Sequence, residues 1–344
     1  MDERTMLRID GSFGEGGGQV LRSSLALSMV TGTPFRMEKI RAGRRKPGLM
    51  RQHLTAVHAA ETVCGAKVEG AEIGSTSLTF EPGTVRPGEY AFSVGTAGST
   101  TLVLQAVLPA FLTASAPSRL TLEGGTHNPL APPYDFLARA YLPLVGRMGP
   151  RVTAHLERHG FFPAGGGRFS VEIEPCPKLE GWTLLERGEI RGCRVRAVVA
   201  RLPRHIAERE VETIRRRLSL DEKCFQVEEV RDSSGPGNIV TIELESEHVT
   251  EVFTAFGKIG RPAETVARDA LRQYKRHMKA SAPVGEYLSD QVLLPLALAG
   301  SGSFRTAGLS QHLRTHIELI AKFLDVPVIA EPTPEGTVVT IGGC

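Results

Sequence analysis

An internal threefold repeat restricts the fold of this chain more than any other feature. Three segments share one plan, a Gly-containing turn followed by an apolar helical stretch that carries a glutamine. They are Gly16 to Gly32 with Gln19, Ala97 to Thr113 with Gln105, and Gly285 to Gly300 with Gln291. Each leads to a second helical stretch and then a short strand, with the second helices at Met50 to Cys64, Pro133 to Met148 and Ser310 to Leu324. The first and third copies match most closely, because Gln52-His53-Leu54 and Gln311-His312-Leu313 occupy the same place at a helix start. A period of roughly 90 residues is too long for a solenoid turn and predicts stacked α/β units.

The third copy reads as interrupted. Its strand material is placed at Arg168 to Ile173, roughly a hundred residues ahead of its first helix. The intervening segment has an order of its own. Arg194 to Ala200 alternates as a strand, Pro203 to Leu218 is a charged helix, Phe225 to Val230 and Asn238 to Leu244 are strands, and Pro262 to Lys279 is an amphipathic helix. The expectation is an α/β chain whose large domain spans 1–183 and 280–344, with a smaller α/β domain inserted at 184–279. The many Arg and Glu residues of the insert are read as solvated helix faces.

Bulk properties narrow the class. A chain of 344 residues exceeds one ordinary core. With 41% apolar and 23% charged residues it is neither disordered, collagenous nor coiled coil. A net charge of +3 permits a polyanionic partner without a general nucleic-acid coat. The five cysteines, Cys64, Cys176, Cys193, Cys224 and Cys344, never form a C-x-x-C pair, which argues for a reducing compartment and against structural zinc or disulfides. No stretch approaches the ~18 apolar residues of a membrane span. Met1-Asp2-Glu3-Arg4 carries no signal pattern. A cytoplasmic protein without a membrane partner is expected.

Four motifs stand out. Asp10-Gly11-Ser12-Phe13-Gly14-Glu15-Gly16-Gly17-Gly18-Gln19 leads directly into an apolar helix. Glycines there let backbone N–H groups approach an anion, and the helix N-terminus favours one. A lone Glu15 in such a loop suits either a divalent cation or a tight turn with a solvated carboxylate. No Walker A lysine follows, no G-x-G-x-x-G register fits, and Arg8-Ile9-Asp10-Gly11 lacks the lysine of lysine-adenylating ligases. From Lys39 to Arg51, six cations crowd into thirteen residues with no acid among them. This is either a solvated basic loop or a shaped anion site for a triphosphate or an RNA end, Arg offering bidentate donors.

Arg158-His159-Gly160-Phe161-Phe162-Pro163-Ala164-Gly165-Gly166-Gly167 reads by itself as a structural corner, and His159 and the Gly124 to Pro129 stretch as structural. Ser310 is a plausible N-cap, which puts His312 in the first turn of its helix, where orphan N–H groups favour a phosphate. Three roles stay open on residues alone: a nucleophile forming a phosphoramidate, a capping or core histidine, and a metal ligand paired with His316 four residues on.

Taken together these motifs resemble those of RNA 3′-terminal phosphate cyclases. The resemblance rests on Gly14 to Arg22, Arg41 to His53, His159 to Gly167, Val284-Gly285-Glu286-Tyr287-Leu288-Ser289-Asp290-Gln291 and Ser310-Gln311-His312, in order over nearly the whole chain. It implies an enzyme that joins ATP to its own histidine, releases pyrophosphate, passes AMP to an RNA 3′-phosphate and closes a 2′,3′-cyclic phosphate. It also implies a large domain of three repeated units, each a sheet backed by two helices, with an inserted α/β domain, and it implies residue roles. His312 is the nucleophile, Glu15 the ligand for Mg²⁺ or Mn²⁺, and Arg22, Arg41 and Arg44 the phosphate clamps. Tyr287 and Pro132 flank the adenine, and Gln19, Gln52, Gln105, Leu288, Ser289, Asp290 and Gln291 complete the nucleotide site. The family often has Asn where this chain has His316, which leaves that residue without a role. Two competing readings are a non-catalytic cyclase-like RNA-binding or ribosome-assembly protein and an enolpyruvyl transferase of related fold.

Overall fold

The computed structural model describes residues 6–343; Met1 to Thr5 and Cys344 lie outside the described residues. Three units share one topology. In the first, β1 (Leu7–Asp10), α1 (Gly18–Thr31), β2 (Phe35–Glu38), α2 (Arg51–Cys64), β3 (Lys67–Glu69) and β4 (Leu78–Glu81) form a sheet of order β1-β2-β4-β3. The parallel β1–β2 pair is joined across α1, and β4 runs antiparallel to both its neighbours. The second unit has β5 (Glu89–Ser93), α3 (Thr100–Phe111), β6 (Ser118–Gly124) and then a helical stretch. There α4 (Tyr134–Phe136) runs through a π turn (Leu137–Tyr141) into α5 (Leu142–Gly146). It closes with β7 (Arg151–Arg158) and β8 (Gly167–Glu174), in the order β5-β6-β8-β7.

The third unit begins with β9 (Thr183–Leu184), and its sheet is completed only after the segment that follows. That segment comprises β10 (Ile190–Ala200), α6 (His205–Arg215), β11 (Phe225–Val230), β12 (Gly237–Ser246), β13 (Thr250–Phe256) and α7 (Ala263–Ala280). The chain then returns as α8 (Glu286–Ala299), β14 (Gly302–Thr306), α9 (Gln311–Ile320), β15 (Val328–Thr333) and β16 (Gly336–Ile341). The third sheet has the order β9-β14-β16-β15, with β9 parallel to β14, the same arrangement as in the first two units. The sequence reading therefore needs one correction. Arg168 to Ile173 belongs to β8, the third strand of the second sheet, and the strand displaced from the third unit is the two-residue β9.

Helix boundaries follow local chemistry. α1, α2 and α8 each stop at a glycine in the left-handed region, Gly32 (φ 70), Gly65 (φ 63) and Gly300 (φ 73), the conformation that ends a helix without a Cβ clash. α3 and α9 start at serine N-caps, Ser99 and Ser310, whose hydroxyls accept the N–H of Leu102 and Leu313. α1, α3 and α8 are apolar nearly all round and lie buried in one core shared by the three units, α1 packing on α3 and on α9. The segment from β10 to α7 has a second core, in which Val195, Val199, Val240 and Ile242 pack against Val211, Ile214, Val266 and Leu271 of its two helices. No helix of the described residues is long and apolar enough to cross a membrane.

Candidate active site

The loop before α1 is folded down onto α9. Gly14 (φ 62) and Gly16 (φ 60) take left-handed conformations, and a Cβ on Gly14 would collide with the Thr315 side chain. In return Thr315 Oγ1 accepts the N–H of Glu15 at 3.2 Å. This contact brings two ends of the sequence together and places the first turn of α9 beside the first turn of α1. There, Nδ1 of His312 lies 2.9 Å from Gln19 Oε1 and 3.9 Å from Glu15 Oε1. Half of the His312 side chain is exposed, while Glu15 is 9% exposed and ion-paired with Arg44.

Behind His312 the wall is polar but closed. Ser310 Oγ donates to Asp290 Oδ1 at 2.9 Å. Burial lifts the Asp290 carboxyl to about 7, with Ser310 opposing and the Glu286 and Glu15 charges adding to the rise. His316 donates Nδ1–H to the Asp290 carbonyl at 3.1 Å, and its Nε2 accepts from Ser23 Oγ at 2.9 Å. Burial brings this imidazole down to about 4, so it is neutral. Both ring nitrogens are spent, which removes His316 from any metal pair with His312 and gives it a role as a core histidine joining α1, α8 and α9.

The basic loop is more neutralised than its sequence suggests. Lys39 pairs with Asp10 at 2.8 Å, Arg44 with Glu15, and Arg41 donates to the Gly48 carbonyl at 2.7 Å. Arg45, Lys46 and Arg51 stay exposed and make no ion pair among the described residues. Arg22, on α1, makes neither a hydrogen bond nor an ion pair among the described residues. Burial lowers it to about 10 against the opposing pull of Glu15, so it stays charged.

The remaining predicted site residues divide into two groups. Gln105 Nε2 donates to Gln291 Oε1, α3 to α8. Gln52 Oε1 accepts the N–H of Ser99 at 2.8 Å, and the Pro132 carbonyl accepts Thr101 Oγ1 at 2.7 Å, so both lie at the start of α3. Tyr287 is 58% exposed in the first turn of α8. Leu288 and Ser289 are fully buried, Leu288 in the shared core and Ser289 bonded to the Glu286 carbonyl at 2.8 Å. Neither of these two side chains is exposed, so any contact of theirs with a nucleotide would be made by the backbone. The three repeat glutamines are also not equivalent. Gln105 and Gln291 hold the sixth position of their helices and Gln19 the second; the sixth position of α1 is Ser23, the partner of His316.

Two features escaped the sequence reading. One is the Asp290–Ser310–His316–Ser23 wall, which joins residues up to 293 apart and leaves no local signal. The other is His53, buried beside Arg22 and Arg41; its signal was the repeat itself, which aligned it with His312.

A cation site built from protein alone is missing among the described residues, since no three His, Cys, Asp or Glu side chains converge. Glu15 is a single carboxylate beside arginines, which matches a Mg²⁺-type ion that arrives with a phosphate and keeps most of its ligands as water and phosphate oxygens.

A loop of glycines, a half-exposed histidine at a helix start and arginines without acid partners define a site for handling phosphate anhydrides or esters. The chain matches the family model for RNA 3′-terminal phosphate cyclase over residues 13–329. It is 53% identical over 321 residues to an RNA 3′-terminal phosphate cyclase of Koribacter versatilis, covering 93% of this chain and 90% of that protein. Proteins of the same description from Ralstonia nicotianae and Salmonella enteritidis are 50% and 48% identical, covering 97% and 98% of this chain and 96% and 98% of theirs. The chain belongs to the RNA 3′-terminal phosphate cyclase family, and it is an enzyme.

Proposed function

We propose that the protein converts an RNA 3′-phosphate into a 2′,3′-cyclic phosphate, spending ATP to AMP and pyrophosphate through an adenylate carried on His312. The observation that carries this reading is the 2.9 Å contact between His312 Nδ1 and Gln19 Oε1. A carboxamide oxygen only accepts, so the neutral ring bears its proton on Nδ1 and keeps the lone pair of Nε2 free. Nε2 attacks the α-phosphorus of ATP, the bond to the β-phosphate oxygen breaks, and pyrophosphate leaves with that electron pair. An RNA 3′-phosphate oxygen then displaces the histidine from AMP. Finally the neighbouring 2′-hydroxyl attacks the activated 3′-phosphorus, releasing AMP and closing the ring. Proximity of the 2′-hydroxyl contributes several kcal/mol to this last step.

Arg22, Arg41 and Arg44 counter the charge that develops on the α-phosphate and on the departing pyrophosphate, usually what lowers the barrier most in such transfers. Glu15, with the bound nucleotide, would hold Mg²⁺ or Mn²⁺, which supplies further charge neutralisation at the phosphates. Tyr287 and Pro132, at the starts of α8 and α3, serve the adenine; Gln52, Gln105, Asp290 and Gln291 frame it. A cytoplasmic setting suits ATP and RNA ends as substrates. The experiment is direct: full-length protein, ATP, a divalent cation and an oligoribonucleotide with a labelled 3′-phosphate. Label that becomes resistant to phosphatase only when ATP is present supports the reading. Label that stays phosphatase-sensitive with either cation contradicts it.

A further inference from the structure

His53 sits at the third position of α2 and accepts the N–H of Met50 on Nδ1 at 3.2 Å. It is 9% exposed, and burial, reinforced by the Arg22 and Arg41 charges, brings its imidazole down to about 3, so the ring is neutral. A neutral imidazole that accepts on Nδ1 must carry its proton on Nε2. The tautomer is the reverse of that of His312, and His53 is a fixed donor at Nε2.

That donor has no partner among the described residues. It points at the first residue of α1: a Cβ built on Gly18 would lie 2.5 Å from His53 Nε2 and 2.7 Å from Arg22 Nη1. Only a residue without a side chain leaves this space open. α1 is a fourteen-residue helix, its N-cap Gly17 offers no side-chain cap, and its first turn carries no acid. An unpartnered arginine, an unpartnered Nε2–H and an uncapped helix start thus converge on one small volume, one residue from the Gln19 that orients His312.

We propose that His53 is a phosphate-binding residue, donating Nε2–H to an oxygen of the nucleoside triphosphate held by Arg22 at the start of α1. This rests on the adenylation reading above. The ring is neutral in the free protein, so it meets the phosphate as a directed donor where Arg22 adds charge. The pseudo-symmetry accounts for its origin. His53 and His312 are repeat equivalents, but His53 stands at the third helical position and His312 at the second. One residue of phase, about 100° around the helix, turns one ring inward as a donor and leaves the other exposed as a nucleophile.

The test uses the full chain labelled with ¹⁵N at histidine and inorganic tripolyphosphate as the probe. The His53 ring is expected in the Nε2–H form from pH 6 to 8, and its Nε2–H resonance to move on addition of the probe. His53→Leu, which has neither donor nor cap acceptor, is expected to bind tripolyphosphate roughly 10- to 100-fold more weakly, the range for a hydrogen bond to a charged group. His53→Gln keeps an acceptor for Met50 and an N–H donor, and is expected to recover most of that affinity. A resonance unmoved at saturating probe, an Nδ1–H tautomer, or wild-type affinity in His53→Leu overturns the proposal. Loss of the helix cap alone lowers the melting temperature of the variant and moves no resonance in the wild type. Absence of adenylate on His312 together with a shifted His53 signal would count against the cyclase reading while supporting this phosphate contact.

Discussion

Gln19 Oε1 stands 2.9 Å from Nδ1 of His312, although 293 positions separate the two residues in sequence. The contact joins the first turns of two helices from different repeats and sets which nitrogen of the ring is free. Gln19→Leu removes the acceptor at little change in volume. Histidyl adenylation is expected to slow about tenfold, the effect of one hydrogen bond on a barrier, with the melting temperature close to wild type. A rate equal to wild type in rapid-quench measurements would show that the ring needs no such orientation.

Asp290 provides a test of the closed wall. Its carboxyl titrates near 7 in the folded protein against 3.8 for an ordinary aspartate. Between these values the folded state holds a proton that the unfolded state has lost, so its contribution to stability falls as pH rises from about 4 to 7 and is lowest above 7. Asp290→Asn keeps an oxygen for Ser310 and removes the titration. The variant should match the wild type in denaturant unfolding near pH 4 and gain on the order of a few kcal/mol at pH 8. An equal difference at both values would contradict the assignment.

His316 has the opposite sign. Its folded value near 4 lies below the ordinary 6.5, so the unfolded state takes up the proton first as the medium becomes acidic. The stabilisation is present above about 6.5 and is lost as pH falls toward 4. His316→Asn should therefore narrow its stability deficit relative to the wild type across that window. Adding Zn²⁺ or Mn²⁺ to the wild type without nucleotide should leave its melting temperature unchanged, because both ring nitrogens are occupied.

The arginines of α6 are already neutralised. Arg209 makes a two-pronged pair with Glu264, Arg215 pairs with Glu212 and Glu222, and Arg216 with Glu212. Replacing all three by alanine should leave RNA affinity and its salt slope at wild-type values, since no phosphate contact is lost. A slope reduced by about one per residue would instead place RNA on this helix.

Much of the fold was legible because the repeat supplied its own internal control. α1, α2, α3, α8 and α9 lie within the stretches read from glycine turns and apolar runs, and β11 spans Phe225–Val230 as its alternation indicated. The errors have physical causes. β9 has two residues and no periodicity to read, so the better-patterned Arg168 to Ile173 stood in for it. β13 was missed because Thr250–Phe256 continues from β12 across a short turn without a glycine or proline boundary. In the site, Glu15, Gln19, Arg44 and His312 were visible because each belongs to a local motif, and Ser310 is the N-cap that its position suggested. The burial of the Leu288 and Ser289 side chains was not legible, because a linear motif does not say which of its side chains face inward. The wall behind His312 and the donor at His53 depend on contacts between distant segments, which one sequence does not reveal.

The central claim is that His312 carries the adenylate. The most direct measurement incubates the full chain with ATP labelled at the α-phosphate and a divalent cation, denatures the protein and maps any acid-labile, alkali-stable label by peptide mass spectrometry, with His312→Ala in parallel. The account predicts one AMP on the peptide containing Gln311-His312-Leu313 in the wild type and none in the variant. Label persisting in His312→Ala, or a wild type that stays unlabelled with Mg²⁺ and with Mn²⁺, would contradict it.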